Sequence, residues 1–431
     1  MAEQDPPSSL FAGLPETLPD EPFAVNEAYM LDNYPHKVNL GIGVYRTADG
    51  TPWPLRVVEE AERELHEARN VHRHEYLGIQ GDGEFLRLAA DLVFGFGKTG
   101  GDCAGLPTKK TNTNRRNRVV SIQTVSGTGA NRLGAELLTR NVRPGCVWIP
   151  DPTWANHQTI WDLCGVSMKM YPYYNDRLRK FDFEGTVRTL EDLSNENDVV
   201  VFHACAHNPT GADPTNEQWA TLAQLCLRKR LIPFFDLAYQ GFASSDVDRD
   251  AWAIRHFFNQ VPELEFCVAQ SFSKNFGLYG QRVGALHVVA SAATAVDVSD
   301  RLRGCLCNLV RGEYSMAPRA GAEIVRTVLG NERMRDNWLA DLKTMSERIR
   351  RMRHALYIEL VRLRTPGDWK HVVNQIGMFS YIGLSEHQVL ALRDRHHIYM
   401  LRSGRVSISG LNEGNVRYVA AAIDDVVRTV I

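Results

Sequence analysis

One lysine stands apart from the other nine in this sequence. Lys274 follows the apolar run at 266–270 after only three residues, so its amine lies at the end of an expected buried strand. The other lysines occur in polar or charged surroundings that are typical of solvated surfaces. Burial lowers the pKa of an amine, and a neutral amine can form a Schiff base with a carbonyl group. Lys274 is therefore a candidate nucleophile, although a structural lysine fits the isolated residue equally well.

A candidate anion site lies where a strand is expected to run into a helix. The turn Ser126-Gly127-Thr128-Gly129 follows the apolar run at 119–125 and precedes a helical pattern at 130–139. Such a turn presents backbone N–H groups, hydroxyls and the positive end of the helix dipole to an anion. Taken alone, the motif more often serves only as a helix cap. Two common phosphate motifs are excluded, because Leu92 and Arg132 stand where GxxxxGK[ST] and GxGxxG require glycine.

Short apolar runs alternate with helical patterns between about residues 51 and 330. Strands that are separated by helices predict βαβ units around a buried, mostly parallel sheet. Residues 331–364 show helical periodicity over one long charged stretch. The expected strands of the sheet lie at 118–123, 146–149, 199–203, 231–236, 266–270 and 282–289, and shorter apolar runs follow at 378–382 and 405–408.

The chain is longer than one hydrophobic core usually spans, so we predict a large domain and a smaller one. Residues 1–50 would form an N-terminal arm and a segment of the small domain, and residues 51–330 the large domain. Residues 331–431 would form the long linking helix and the rest of the small, α+β domain. The Gly-, Thr- and Asn-rich residues 97–117 predict a surface insertion.

Composition argues against several classes of function. The 49 Lys and Arg against 51 Asp and Glu give a net charge of −2, which does not fit a nucleic-acid binder or a polybasic membrane-surface protein. No run approaches the roughly 18 apolar residues that a membrane span needs. Eight scattered cysteines without a CxxC pair predict a reducing compartment, with no disulfide framework and no metal site. Because residues 1–7 match neither a secretory nor a mitochondrial leader, we expect a cytoplasmic protein.

Several strings with distinct chemical content occur in one order along the chain. The most specific is Gln270-Ser271-Phe272-Ser273-Lys274-Asn275-Phe276-Gly277-Leu278-Tyr279, and others lie at 74–77, 152–154, 203–211 and 234–242. Together they resemble the aspartate aminotransferases, which are pyridoxal-phosphate (PLP) enzymes of fold type I. The resemblance runs from about Val38 to the C-terminus. It implies an α/β fold with a mostly parallel seven-stranded sheet flanked by helices, a PLP-binding large domain and a smaller α+β domain.

The resemblance assigns the chemistry of the cofactor ring to a few side chains. Lys274 would anchor PLP as an internal aldimine and shuttle the proton during the reaction. Asp236 would keep the pyridine nitrogen protonated, with His157 holding this carboxylate from behind. Three further side chains would contact the ring by hydrogen bonding or stacking: Asn208, Tyr239 and Trp154.

The resemblance also implies a phosphate site that is shared between subunits. Hydroxyl, backbone N–H and guanidinium groups would hold the phosphate: Ser126, Gly127, Thr128, Ser271 and Arg282. Tyr76 matches a residue that reaches the phosphate of the neighbouring subunit. A homodimer with shared active sites is therefore expected.

Two arginines would recognise the amino-acid and 2-oxo-acid substrates. Arg405 would clamp the α-carboxylate, with Asn208 assisting, and Arg311 would cross the dimer interface to bind a side-chain carboxylate. Gly43 and Phe379 would line the pocket together with Trp154. Closure of the small domain over the substrate would expel water and orient the reacting Cα–H bond.

Some positions depart from the family pattern. The family usually reads ITWSNPPAQG after the distal arginine, whereas this chain has Tyr314, Met316 and Arg319 in that stretch. Ser407 stands where Asn is common after Arg405. None of these changes removes a catalytic group. They concern the specificity for the substrate side chain more than the chemistry, and Arg319 could even replace Arg311 in reading it.

We therefore predict a PLP-dependent aminotransferase that acts on an acidic amino acid, aspartate or glutamate, with a 2-oxo acid such as 2-oxoglutarate. The reaction would follow a ping-pong route. One alternative is the same scaffold with an aromatic or specialised substrate, or with lyase, decarboxylase or cyclisation chemistry. A second alternative is a nucleotide-binding α/β enzyme or a non-catalytic binding protein. The sequence leaves the physiological donor, the acceptor and the pathway open.

Overall fold

The computed structural model describes residues 9, 11–17, 19–47, 49–68, 74–96 and 115–430. The expected surface insertion falls outside these residues except for its last three positions, and Cys103 falls outside them as well. The strands are β1 Val38–Asn39, β2 Val119–Val125, β3 Val147–Asp151, β4 Met168–Pro172, β5 Tyr174–Asn175, β6 Lys180–Phe181, β7 Val199–His203, β8 Ile232–Leu237, β9 Phe266–Ser271, β10 Val283–Val289, β11 Phe379–Tyr381, β12 Ile398–Tyr399 and β13 Arg405–Ser407.

Helices separate most of these strands. They are α1 Glu21–Leu31, α2 Arg56–Glu67, α3 Gly83–Phe94, α4 Ser126–Asn141, α5 Asn156–Leu163, α6 Phe183–Leu193, α7 Asn216–Lys229, α8 Val247–Asp250, α9 Trp252–Gln260, α10 Ala295–Glu313, α11 Arg319–Gly330, α12 Glu332–Arg362, α13 His371–Asn374, α14 Glu386–His396 and α15 Val416–Thr429. Among the described residues, no helix combines the length and the apolar character that crossing a bilayer requires.

Seven strands form the predicted central sheet, in the order β2-β10-β9-β8-β7-β3-β4. The strands from β9 to β4 are parallel, and β10 runs antiparallel to both of its neighbours. The mostly parallel sheet is thus confirmed. Six of its strands coincide with the predicted apolar runs, but β4 had not been recognised. It lies at the edge of the sheet, where only Tyr171 of its five residues is fully buried.

Side chains of the central sheet alternate between two hydrophobic clusters, one on each face. Phe234 packs with α4, α5 and α10 on one face, whereas its neighbour Phe235 packs into the larger cluster on the other face. Helices therefore cover both faces of the sheet, as a parallel sheet requires. This burial leaves the ends of the strands as the accessible part of the sheet.

One small sheet joins the beginning of the chain to its end, and a second lies within the last part of the chain. β1 pairs in parallel with β12, and β11 pairs antiparallel with β13. The predicted long helix is α12, which begins after the Asn331 cap and extends for 31 residues. These pairings support the proposed division, in which residues 1–50 and 331–431 contribute to the smaller domain and 51–330 form the larger one.

Helix α12 also packs against the loop that carries Lys274. Trp338 is fully buried, stacks on Phe276 with ring centroids 4.8 Å apart, and donates its indole N–H to the carbonyl oxygen of Asn275 at 2.7 Å. A backbone carbonyl next to the candidate lysine is thereby held by a side chain from another part of the chain. The stability of the fold and the position of Lys274 both depend on this contact.

We expect Trp338→Ala to destabilise the protein strongly, because it removes a buried ring and leaves the Asn275 carbonyl without its donor. Loss of a buried Trp costs about 3–5 kcal/mol of unfolding free energy, which should appear as a lower urea midpoint. Trp338→Phe keeps an aromatic ring and should lose clearly less. An unchanged urea midpoint for Trp338→Ala would contradict this account.

Candidate active site

A cavity of about 650 Å³ opens at the carboxyl ends of the parallel strands. Ligands of open α/β sheets characteristically bind at this end. Its lining combines the expected cofactor residues with residues from both ends of the chain: Asp20, Pro22, Phe23, Ile42, Gly43, Ser126, Gly127, Thr128, Trp154, Asn156, His203, Asn208, Asp236, Ala238, Tyr239, Ser271, Ser273, Lys274, Tyr279, Arg282, Phe379 and Arg405. Thirteen of the sequence-predicted site residues are thus brought together.

Lys274 projects into this cavity just beyond the end of β9. Burial lowers the pKa of its amine to about 8, and the nearby cations of Arg282 and Arg405 act in the same direction, against the opposing carboxylate of Asp236. Its Nζ lies 5.1 Å from the centroid of the Tyr239 ring. A substantial neutral fraction near physiological pH makes this amine able to attack a carbonyl carbon.

Asp236 lies near the end of β8 and faces the same cavity. Burial alone would raise the pKa of its carboxyl group, but a hydrogen bond with His157 and nearby positive charge, including that of Lys274, lower the pKa overall. His157 Nε2 lies 3.0 Å from Asp236 Oδ2, and the Asn131 amide donates to the same oxygen at 3.4 Å. The structure therefore holds an ionised carboxylate at the cavity floor.

A chain of polar groups continues behind His157. Thr153 Oγ1 lies 2.9 Å from His157 Nδ1 and 3.0 Å from His203 Nε2. The backbone N–H of Asn208 in turn points at His203 Nδ1 at 3.4 Å. Burial holds the pKa of His203 well below its ordinary value, so this imidazole is neutral. Sequence reasoning missed Thr153 and His203 as site residues, although both lie in strings that it had singled out.

Hydroxyl groups, a guanidinium and the start of α4 form a cup at one side of the cavity. Ser126 Oγ lies 2.8 Å from Ser273 Oγ and 3.4 Å from Ser271 Oγ, and Arg282 Nη1 donates to Ser273 Oγ at 3.3 Å. Gly127 closes the cup, since a Cβ there would lie 2.8 Å from the Ser271 Cβ. This set of donors matches an oxyanion such as a phosphate. Ser273 was not predicted, although it directly precedes Lys274.

Arg405 occupies the opposite side of the cavity. It is buried, its Nη2 donates to the Gly41 carbonyl oxygen, and its Nη1 donates to Asn208 Oδ1 at 3.5 Å. Burial lowers the pKa of its guanidinium to about 10, and its Nε has no hydrogen-bond partner among the described residues. An incompletely paired buried cation is suited to receive a carboxylate.

Phe379 lies beneath this arginine. The guanidinium carbon of Arg405 is 4.3 Å from the centroid of the Phe379 ring. Gly43 lies against the same ring, and a Cβ at this position would come within 2.9 Å of its Cζ. Because Gly43 has no side chain, the segment after β1 can approach the Phe379 ring closely. Trp154, on another wall, meets His157 edge to face at 5.3 Å.

Three predicted residues do not line the cavity: His157, which lies behind Asp236, and two others that lie further away. Tyr76 is 85% exposed, and Arg311 is also exposed, with its Nη1 donating to Ser315 Oγ. Neither side chain lines the cavity of its own chain. This is the placement that their predicted action across a dimer interface requires, and their roles remain predictions.

The departures from the family pattern at Arg319 and Met316 have structural partners. Arg319 forms an ion pair with the buried Glu323 at 3.2 Å and donates to the carbonyl oxygens of Glu75 at 3.2 Å and Tyr76 at 3.4 Å. The backbone N–H of Leu77 donates to Met316 Sδ at 3.2 Å. Both changed residues therefore brace the segment that carries Tyr76. Because these contacts occupy the Arg319 guanidinium, they argue against Arg319 replacing Arg311 as the group that binds the substrate side chain.

The other two departures are less informative about the substrate. Tyr314 packs against the hydrophobic cluster of α4 and α10, and burial raises the pKa of its hydroxyl group. Ser407 is buried, and its Oγ lies 2.8 Å from Ser409 Oγ. Neither side chain lines the cavity.

The mouth of the cavity contains groups that sequence reasoning did not identify. Asp20, Pro22 and Phe23, at the start of α1, line it together with Ile42. Phe23 is 74% exposed, and the negative charge of Asp20 acts on Arg405 across the mouth. No sequence signal singled out this segment, because its position depends on how α1 packs against the end of the chain.

Known proteins resemble this chain over nearly its whole length. An L-tyrosine:2-oxoglutarate aminotransferase of Aspergillus ustus is 52% identical over 94% of this chain and 76% of its own length. The solved structure of the cytoplasmic aspartate aminotransferase of Saccharomyces cerevisiae has a TM-score of 0.92 and 39% identity, covering 98% of this chain and 99% of the yeast one.

An aromatic-amino-acid aminotransferase of Burkholderia pseudomallei, solved with covalently bound pyridoxal phosphate, has a TM-score of 0.88. It is 36% identical and covers 97% of this chain and 100% of its own. The sequence model of the family described as aminotransferase class I and II matches residues 35–423. These matches agree with the fold described above. The chain belongs to the class I and II aminotransferases and, within them, to the aspartate aminotransferase family.

Proposed function

We propose that this aminotransferase binds PLP in the cavity and transfers the amino group of an acidic amino acid to a 2-oxo acid such as 2-oxoglutarate. The observation that carries the proposal is the meeting of Lys274, Asp236 and Arg405 in one cavity that also contains the Ser126 cup. A reactive amine, an ionised carboxylate, a cation for a substrate carboxylate and an oxyanion cup have no common use in a purely structural protein.

The groups around the cavity fit PLP by their chemistry. The cup of Ser126, Ser271, Ser273 and Arg282 offers hydroxyl and guanidinium donors to a phosphate. The lowered pKa of Asp236 means that it can stay ionised beside a protonated pyridine nitrogen. The Burkholderia relative with covalently bound PLP supports the same assignment.

The chain's own groups divide the work of the reaction. When bound, PLP supplies an aldehyde that condenses with amines and a protonated ring that withdraws electrons from the substrate Cα. Lys274 would hold the cofactor covalently at rest, and its neutral Nζ would then accept the proton from the substrate Cα. Asp236, fixed by His157, would keep the ring nitrogen protonated. Asn208 and Tyr239 would hydrogen-bond the ring oxygen, and Trp154 would stack on the ring.

Substrate orientation would fall to Arg405 and Asn208. Their side chains lie side by side in the cavity lining, so a carboxylate next to them would accept hydrogen bonds from the Arg405 guanidinium and the Asn208 amide N–H. Phe379 and Gly43 would limit the space beside the carboxylate and thereby fix the direction of the Cα–H bond. Both the amino acid and the 2-oxo acid carry this carboxylate, so one site can serve both half-reactions.

We further propose a homodimer in which Tyr76 and Arg311 complete the partner's site. The support is that both side chains are exposed and stand outside the cavity of their own chain. Tyr76 would contact the phosphate, and Arg311 would bind the distal carboxylate of the substrate.

A cytoplasmic location is also proposed for this enzyme. The support is the solved yeast relative, which is named as coming from the cytoplasm.

An aromatic amino donor is the second candidate. The Aspergillus relative that is 52% identical is named for L-tyrosine, and the mouth of the cavity presents Phe23 and Ile42 to an incoming side chain. The carboxylate of Asp20 at the same mouth would disfavour a second negative charge on the substrate. The acceptor could still be 2-oxoglutarate, so the two candidates differ in the donor only.

Lys274→Ala is expected to abolish transamination, because no other amine of the described residues lines the cavity, and to leave the fold intact. The measurement is turnover of aspartate, glutamate and tyrosine with 2-oxoglutarate, together with circular dichroism of the variant. Lys343→Ala, on the exposed side of α12, is the matched control and should retain full activity. Substantial turnover by Lys274→Ala would refute the central assignment.

The pH dependence of cofactor capture provides a second measurement on the same lysine. The neutral amine is the reactive form, so covalent attachment of PLP to the apoprotein, fixed by borohydride, should increase as the pH rises through about 8. Peptide mass spectrometry should locate the modification at Lys274.

Arg311→Ala is expected to lower kcat/KM for aspartate or glutamate far more than for tyrosine. Loss of a desolvated, charge-assisted contact costs about 2–5 kcal/mol, or tens- to thousands-fold in kcat/KM. An aromatic donor never makes that contact. Arg303→Ala, on the same helix and paired with Asp300, is the control. Equal losses for both donors would show that Arg311 does not read the side chain, and would favour the aromatic candidate.

Mixing two inactive variants tests whether the sites are shared. Lys274→Ala and Arg311→Ala protomers should together regain activity on a dicarboxylic donor, because one site of each hybrid dimer would contain both residues. Subunit exchange is followed independently with differently tagged protomers. If exchange occurs without recovery of activity, Arg311 belongs to the site of its own chain.

A further inference from the structure

Helix α12 contributes a buried cation that no described carboxylate neutralises. Arg353 is only 2% exposed, and its guanidinium donates to four carbonyl oxygens of one short segment. The acceptors are Val372 at 2.9 Å, Ile376 at 3.3 Å, Gly377 at 2.9 Å and Phe379. A buried charge that pairs only with carbonyl dipoles is costly, so its surroundings must be well organised around it.

The segment that Arg353 holds leads directly into the substrate side of the cavity. It ends at Phe379, the first residue of β11, whose ring lies beneath the Arg405 guanidinium. β11 pairs antiparallel with β13, and in this register Tyr381 lies opposite Arg405 and Phe379 opposite Ser407. The carbonyls that Arg353 fixes are therefore one strand away from the arginine that receives the substrate carboxylate.

The same segment touches the loop that carries Asn208. The backbone N–H of Ile376 donates to the carbonyl oxygen of Gly211 at 2.8 Å. Gly211 has a φ of +64°, and a Cβ there would lie 2.7 Å from the Ile376 carbonyl oxygen and 2.8 Å from that of Phe379. Gly377 is pressed against Ala206 on the same loop in a similar way. Residues 376–379 thus connect the loop that carries Asn208 with the strand that carries Arg405.

We propose that Arg353 is a positioning residue for substrate binding: by holding the carbonyls of 372–379, it sets the distance between Arg405 and Asn208. The inference rests on the proposed function, because it assumes that these two residues bind the α-carboxylate. Arg353 does not itself line the cavity, and among the described residues its only contact with a lining residue is the backbone carbonyl oxygen of Phe379. Its effect on substrate passes through the backbone of the segment.

Only a guanidinium can make this arrangement. Its planar fork presents donors in two directions at once, to Val372 on one side and to Ile376, Gly377 and Phe379 on the other. A lysine at the same position keeps the charge but offers a compact ammonium group that cannot span both sets. The segment would then shift, and with it the register of Phe379 and Arg405.

The test compares Arg353→Lys holoenzyme with Arg351→Lys, an exposed arginine two residues earlier on the same helix. We expect KM for the amino donor and for 2-oxoglutarate to rise about tenfold or more in Arg353→Lys, as for an ångström-scale misplacement of a binding group. The inhibition constant of succinate, which has neither amino nor oxo group, should rise with them. The PLP absorption spectrum and kcat should stay near wild type, and Arg351→Lys should match wild type throughout.

A purely structural role predicts a different pattern. It would lower the unfolding temperature of Arg353→Lys while leaving KM and succinate inhibition within twofold of wild type, and that result would overturn the inference. If Arg353→Lys does not yield folded protein, Gly211→Ala perturbs the same junction from the other wall. A raised KM with an unchanged PLP spectrum in Gly211→Ala would support the inference, and an unchanged KM would overturn it.

Failure of the proposed function gives its own signature. If wild-type protein transaminates no donor, or if Arg405→Lys leaves KM unchanged, the carboxylate site itself is misassigned. If wild type is active, Arg405→Lys raises KM and Arg353→Lys does not, only the role of Arg353 is wrong.

Discussion

A single buried carboxylate organises the site. Asp236 lies near the end of a central strand, where the sheet and its covering helices exclude water. An ionised group in such a place needs fixed partners, and the chain supplies them with His157 on one side and the Asn131 amide on the other. The charge of Asp236 also reaches Lys274, whose pKa it raises against the stronger effect of burial. The pKa of the Asp236 carboxyl group and the pKa of the Lys274 amine therefore depend on each other.

Around that centre, the architecture divides the functions between two parts of the chain. The central sheet and the start of α4 position the groups that we propose for the cofactor, whereas β11, β13 and the segment after β1 position those that we propose for the substrate. Contacts between these parts pass through backbone carbonyls and through glycines that allow close approach, as where Gly211, on the loop after β7, lies against the carbonyl oxygens of Ile376 and Phe379. Such a division lets one part tolerate change in substrate preference without loss of the cofactor. The relatives of this chain named for L-tyrosine and for aspartate differ in this way in the amino acid that their names give.

Much of this could be predicted from sequence, for identifiable physical reasons. Five central strands are mostly buried and the edge strand β2 is apolar along most of its length, so all six read as continuous apolar runs. The family strings located Lys274 and Asp236. The edge strand β4 gave no signal because most of its side chains meet solvent. Thr153 and Arg353 were missed for another reason. Thr153 pairs with the imidazole of His203, which is 50 residues away, and Arg353 pairs with carbonyls that are 19–26 residues away. No local pattern encodes such pairings. The nucleotide-binding alternative is excluded by the family to which the chain belongs.

The reversed direction of β10 has a consequence for how the protein matures. Because β10 starts where its neighbours β2 and β9 end, Arg282 arrives beside Ser126 and Ser271, which are 145 residues apart in the chain. The phosphate cup is therefore absent from any nascent chain that lacks β10, whatever local helices have formed. A growing polypeptide cannot use the phosphate as an early template. A complete cup instead requires that β10 has paired with β2 and β9, so capture of a phosphate-bearing cofactor there would be a late step in the maturation of the enzyme.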